Sequence, residues 1–126
     1  MDFVENIEKL SLSNNNFRRV LYTGQHTQLV VMSLQPKEEI GMEIHQIADQ
    51  FLRIEKGEGK VVINNVEHAI KDGDAIIIPA GTKHNVINMS SSEELKLYTL
   101  YSPPHHKDDT IHKTKSDALK DESDHI

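Results

Sequence analysis

The chain has 126 residues, 37% of them hydrophobic and 5% aromatic, with no Trp and no Cys, and its 20 acidic against 14 basic side chains give a formal net charge of −6. That length holds one domain; the acidic balance, with Lys and Arg scattered, speaks against a phosphate-backbone partner, and the lack of cysteine removes disulfides, thiolate nucleophiles and thiolate metal sites. No apolar run approaches bilayer length, and MDFVENIEKL carries acids where a secretory leader carries cations, so a cytoplasmic setting without nucleic-acid or membrane partners is expected.

Residues 1–15 form an expected lead segment, in which VENIEKLSL suits either a short helix or a leading strand. From Phe17 the chain breaks into short β-type runs separated by turn residues, the pattern of an all-β sandwich or barrel, which we place over residues 16–104. The expected strands, in order, are FRRVLYT, QLVVMSL, EIGMEIH, QFLRIEK, KVVIN, HAI, DAIIIP, HNVINM and KLYTLY. Asn64-Asn65 and Lys71-Asp72-Gly73 read as tight hairpin connections. The stretches from Leu29 to Met32, Ala75 to Ile78 and Leu95 to Tyr101 are apolar on both faces, whereas a strand with one wet face alternates. In a small chain with few helices the expected cover is a second subunit, which makes a homodimer. Residues 105–126 shift to His, Lys, Asp and Ser and read as a polar C-terminal tail. Within it PPHHKDDTIHK is expected to be solvated, with a helical turn from Ser116 and a frayed end.

The stretch GDAIIIPAGTKHNVIN sets Gly73, Pro79, Gly81, His84 and Asn88 at fixed offsets, with five, one, two and three residues between them. All five positions resemble the second motif of the cupins. Counting back from Gly57, the first cupin motif places its Glu, second His, first His and opening Gly on Gln50, His45, Glu43 and Lys37, so this motif is retained at His45 and Gly57 and altered at the other three places. The chain is similar to small single-domain cupins, often labelled mannose-6-phosphate isomerase-like. The resemblance implies a cupin double-stranded β-helix, a jelly-roll barrel in one domain, with a metal inside it at Glu43, His45, Gln50 and His84. The Gly and Pro residues of the second motif then serve as turn makers that aim His84.

The residues themselves point the same way. Glu43 and His45 are two apart on an expected strand, so both leave one face of it, with Met42 and Ile44 on the other. Burying a Glu and a His is costly unless something compensates the charge, and a divalent cation would. His84 adds a second imidazole, and Gln50 adds a neutral oxygen, either as a ligand or as a hydrogen-bond partner of Glu43 or of a bound water. This sulfur-free set suits Mn(II) or Fe(II) first, with Zn(II), Ni(II) or Cu(II) also able to bind, and leaves about two open positions on a six-coordinate ion. The Gln at position 50 lowers the ligand charge by one unit relative to the family pattern.

The expected function is that of a metal-binding cupin enzyme of isomerase, lyase or dioxygenase type, acting on a small polar metabolite chelated to the metal; no catalytic residue is assigned. The alternative is a non-catalytic cupin that binds a sugar or another small molecule. Around this set, His26 and Gln28 read as loop or surface residues, with a Gln28 that points inward toward the site as the alternative, and Arg53, out of phase with Gln50, faces away. His68 reads as surface, and Tyr98 and Tyr101 lie on opposite faces, so one of them reaches the pocket. His112 is placed to fold over the barrel mouth.

Overall fold

A computed structural model describes residues 2–121, and the end of the expected tail, residues 122–126, lies outside the described part. The elements are α1 (Ile7–Ser13), β1 (Arg18–Thr23), β2 (Gln28–Leu34), β3 (Asp49–Lys56), β4 (Glu58–Ile63), β5 (Val66–Lys71), β6 (Ala75–Ile78), β7 (His84–Asn88), β8 (Leu95–Ser102), β9 (Ile111–His112) and α2 (Lys115–Lys120). One antiparallel sheet runs β6-β3-β8-β2-β1-β9 and a second runs β5-β4-β7. The all-β cupin jelly roll expected above is the architecture observed.

Strand periodicity explains which side chains meet inside. Val20 of β1, Val30, Met32 and Leu34 of β2, Leu52 and Ile54 of β3, Val61 of β4, Val86 of β7 and Leu95 and Leu97 of β8 share one buried core. Polar residues in the same phase therefore also point inward: Arg18, Gln28, Gln50, His84 and Thr99 are all buried. The register lays Gln28 beside Tyr101 and Tyr101 beside Gln50, so one row across β2, β8 and β3 is polar or aromatic. The row of Val30, Thr99 and Leu52 follows it. Asn64 and Asn65 both take positive φ, 49° and 68°, in the two-residue turn between β4 and β5.

Two expectations change, and the open choice for the lead segment is decided. The run EIGMEIH is not a strand but two isolated pairings, Glu39 with Ile87 and Glu43 with His84. Gly41, at φ 109°, breaks the ladder between them, and its N–H donates to the Asn85 side chain at 2.9 Å instead of to a neighbouring strand. The lead segment is a helix, capped where the Asn6 side chain accepts from the Lys9 N–H at 2.9 Å. Helix α1 packs across β2, β3 and β8, so the chain itself covers a face for which a second subunit had been expected. Lys96 is buried there, with its Nζ donating to the Asn14 carbonyl and to Ser33 Oγ. Burial lowers the pKa of that ammonium. The outer face of β6 stays open, with Ile77 69% exposed.

Candidate metal centre

Backbone pairing builds the centre of the site. Glu43 N–H donates to the His84 carbonyl at 2.8 Å and His84 N–H returns a bond to the Glu43 carbonyl at 2.9 Å. Directly paired residues of an antiparallel ladder send their side chains to one face, so Glu43 and His84 are neighbours. The carbonyl of His45 accepts from Gly81 N–H at 2.8 Å, and Gly81 reaches that position at φ 82°, where a side chain would be strained. The Pro79–Gly81 turn thus fixes His45 as well as His84. Ligand atoms of Glu43, His45 and His84 all lie within 4.8 Å of one another, close enough to hold a metal ion. His45 Nε2 is 3.7 Å from Glu43 Oε1, and the two imidazole centroids are 5.1 Å apart.

The hydrogen-bond pattern leaves acceptors pointing at nothing. His84 Nδ1–H donates to the Thr82 carbonyl at 2.9 Å, which sets the tautomer and leaves Nε2 as a bare lone pair, buried and without a hydrogen-bond partner. Neither ring nitrogen of His45 has a hydrogen-bond partner, and the residue is 6% exposed. Burial first, then the neighbouring His105, His84 and His106 and the charge of Arg18, push its pKa down to about 3. Its imidazole is therefore neutral at pH 7. Gln50, 2% exposed, donates from Nε2 to Thr99 Oγ1 at 3.0 Å, while its Oε1 has no hydrogen-bond partner. Buried polar atoms are satisfied in the great majority of cases. Here two imidazole nitrogens are gathered with the Glu43 carboxylate, a donor set that fits a divalent cation.

Other residues fall as follows. His26 and His68 are exposed and Arg53 faces away from Gln50, pairing with Glu55 at 2.9 Å. Of the two tyrosines it is Tyr101 that reaches the site, its ring centroid 5.4 Å from that of His45, whereas Tyr98 packs on Phe51. Gln28 corrects its surface reading. It is fully buried, its Oε1 accepting from the N–H groups of His105 and His106 at 3.1 and 2.9 Å, and its Nε2 donating to the His106 carbonyl at 2.7 Å. The signal was present in the strand phase, since Gln28 shares the face of Val30 and Met32.

The run after β8 is not solvated throughout either. His106 is 1% exposed, and the half-buried His105 stacks edge-on against His45 at 4.2 Å. His112 is buried in β9 between the Arg18 guanidinium, 3.4 Å from Nδ1, and the Asp121 carboxylate, 3.0 Å from Nε2. A cavity of ≈ 250 Å³ opens onto the cluster, lined by His45, Ile47, Ala48, Pro103, Pro104 and His105 among others. A larger one of ≈ 430 Å³, around Lys56, Lys71, Asp72 and Ser90, touches no member of the cluster.

A protein of Bacillus subtilis (strain 168) called YrkC is 48% identical over 123 residues, covering 93% of this chain and 66% of that protein. A protein of Acanthamoeba polyphaga mimivirus is 47% identical over 107 residues, covering 82% of this chain and 67% of its own length. The chain therefore spans about two thirds of the length of these curated relatives. A solved structure from Bacillus halodurans superposes with a TM-score of 0.93 at 45% identity, covering 96% of both chains. The family model for the cupin domain matches residues 30–101, which hold every member of the cluster, and on that match and these likenesses the chain belongs to the cupin family.

Proposed function

We propose that Glu43, His45 and His84 bind a divalent metal ion, with the Gln50 oxygen completing the set, and that the protein is a metal-dependent enzyme acting on a small polar metabolite. The observation that carries this reading is the pair of buried imidazoles, His45 and His84, whose free ring nitrogens are gathered with the Glu43 carboxylate, while the Gln50 oxygen is likewise buried without a hydrogen-bond partner. Apolar surroundings would not be expected to retain such atoms unless something bound them. Mn(II) or Fe(II) suits the sulfur-free donors best, ahead of Zn(II), Ni(II) and Cu(II). A bound ion would supply Lewis acidity toward a carboxylate, carbonyl or enol oxygen of the substrate, in keeping with isomerase, lyase or dioxygenase chemistry.

The chain's own part is to present two imidazoles, His45 held neutral by burial and His84 oriented by the Thr82 bond. Glu43 offsets cationic charge, and Ile47, Ala48 and the two prolines limit water at the entrance. A second reading, a non-catalytic module holding a sugar or another small molecule, draws on Gln50. Its amide, tied to Thr99, brings neither charge nor base where the family pattern has a carboxylate. We also propose a homodimer, supported by exposed Ile77, Met42 and Ile44, and a cytoplasmic setting, supported by the absence of cysteine. No helix among the described residues is long and apolar enough to cross a membrane.

The test is elemental analysis of protein purified without a metal-affinity step, beside the His45→Ala, His84→Ala double variant. Near-stoichiometric Mn or Fe, lost in the variant, is the expected result. Native protein that stays metal-free after reloading would remove the enzyme reading and leave a ligand-binding barrel.

A further inference from the structure

The segment beyond the matched cupin region brings two more imidazoles to the cluster. The family match ends at residue 101, and His105 and His106 follow it. The His105 ring lies 4.2 Å from that of His45 and 5.3 Å from that of Tyr101, and the His106 ring 5.1 Å from that of Tyr101. Their backbone is held from below. Gln28 binds both N–H groups and the His106 carbonyl, and it stands beside Tyr101 in the sheet register. A loop that could have swung away is thereby fixed to a central strand.

That loop forms a wall of the ≈ 250 Å³ cavity. His105 and His45 both line it, and Ile47, Ala48, Pro103 and Pro104 make much of the rest apolar. A molecule in the cavity therefore meets both the His105 and the His45 side chains. Charge selects what enters. Arg18 is buried in strand phase with Val20, and its charge acts on His45. Two carboxylates carry the opposite charge: Glu43 in the cluster, and Asp121 on the far side of the His112 ring that Arg18 touches. With a divalent ion in place the interior carries a positive surplus, which favours an anion over a neutral molecule of the same size.

We infer that the cavity admits a small carboxylate-bearing molecule and that His105, positioned by Gln28, recognises it by donating an imidazole N–H to a carboxylate oxygen. The inference rests on the metal reading above and assigns the ligand class and a recognition residue to that same site. His105 is a contact residue for the ligand; Gln28 is a positioning residue, acting through the loop.

The experiment uses the full chain loaded with Co(II), its visible absorption titrated with acetate and, as the neutral control, with acetamide. Acetate is expected to shift the Co(II) bands saturably and acetamide is not. His105→Phe should weaken acetate binding about tenfold while leaving Co(II) affinity within about twofold of wild type, and His105→Asn, which keeps a donor, should recover most of the loss. Gln28→Met should weaken acetate in the same direction without touching the cavity. Failure of wild-type protein to bind Co(II) would bring down the metal reading and this inference with it. Co(II) binding with an acetate response equal in wild type and both His105 variants would overturn the role of His105 alone. No acetate response in wild type, or an equal one to acetamide, would overturn the carboxylate assignment.

Discussion

Burial keeps His45 neutral far below the pH at which a free imidazole takes up a proton, and this makes the metal-free fold sensitive to acid. Its folded pKa of about 3 lies under the ordinary 6.5, so below pH 6.5 the unfolded chain binds a proton that the folded chain refuses. The stability tied to this group is complete above 6.5 and is lost as pH falls toward 3. Urea melts of metal-free protein at pH 7.5 and pH 5 should differ by about 2 kcal/mol from this group, and His45→Gln should remove that difference. Equal pH slopes for wild type and variant would show that the ring is not held neutral. Lys37 makes a separate point at the same scale. It stands where the cupin pattern opens with Gly, and its φ of 65° is the left-handed conformation that glycine adopts freely. Its Nζ donates to the Met89 carbonyl at 2.8 Å, an exposed bond that offsets part of the strain. Lys37→Gly should raise stability by about 1 kcal/mol in a urea melt, and a loss would mean that the lysine bond outweighs the backbone.

Elements turn these single residues into a site. Strand β4 lies between β5 and β7, and Gly59 within it comes so close to the Ile87 carbonyl that an added Cβ would collide with backbone. Gly59→Ala should therefore cost about 2–3 kcal/mol, read as a lower urea midpoint with an unchanged m-value; a neutral result would mean that β7 can shift. The same strand logic explains what could be read in advance. Eight of the nine expected strand runs, from FRRVLYT to KLYTLY, overlap observed strands, because buried sheets in a small domain leave a strong apolar pattern. EIGMEIH carried that pattern too, but Gly41 and the Asn85 side chain interrupt its ladder, a tertiary bond invisible in the local sequence. Glu43, His45 and His84 were legible because motif spacing places them, although Glu43 and His45 lie outside a strand, whereas His105 and His106 were not. Their position depends on Gln28, 77 and 78 residues away, and no local pattern encodes a bond of that span.

At the scale of the whole molecule, one apolar surface is covered by the chain itself and others stay open. Helix α1 closes one, while Ile77 on β6 and the Met42 and Ile44 side of the segment before β3 remain exposed. Sedimentation equilibrium of native protein should give twice the chain mass of 14.3 kDa, and Ile77→Lys should shift the mass toward one chain. A single-chain mass for the native protein at micromolar concentration would exclude the dimer. The sheet order has one further consequence. Strand β8 sits between β3 and β2, so the middle of the large sheet is supplied by a segment that leaves the ribosome after seven other strands. Until about residue 102 has emerged, β2 and β3 have no partner between them, and each pairing must close a long stretch of chain. A growing chain must therefore carry the Glu43 and His84 side chains for some time in a half-built barrel with bare apolar edges. For this protein the interval between the synthesis of β7 and that of β8 is the one in which aggregation competes with folding.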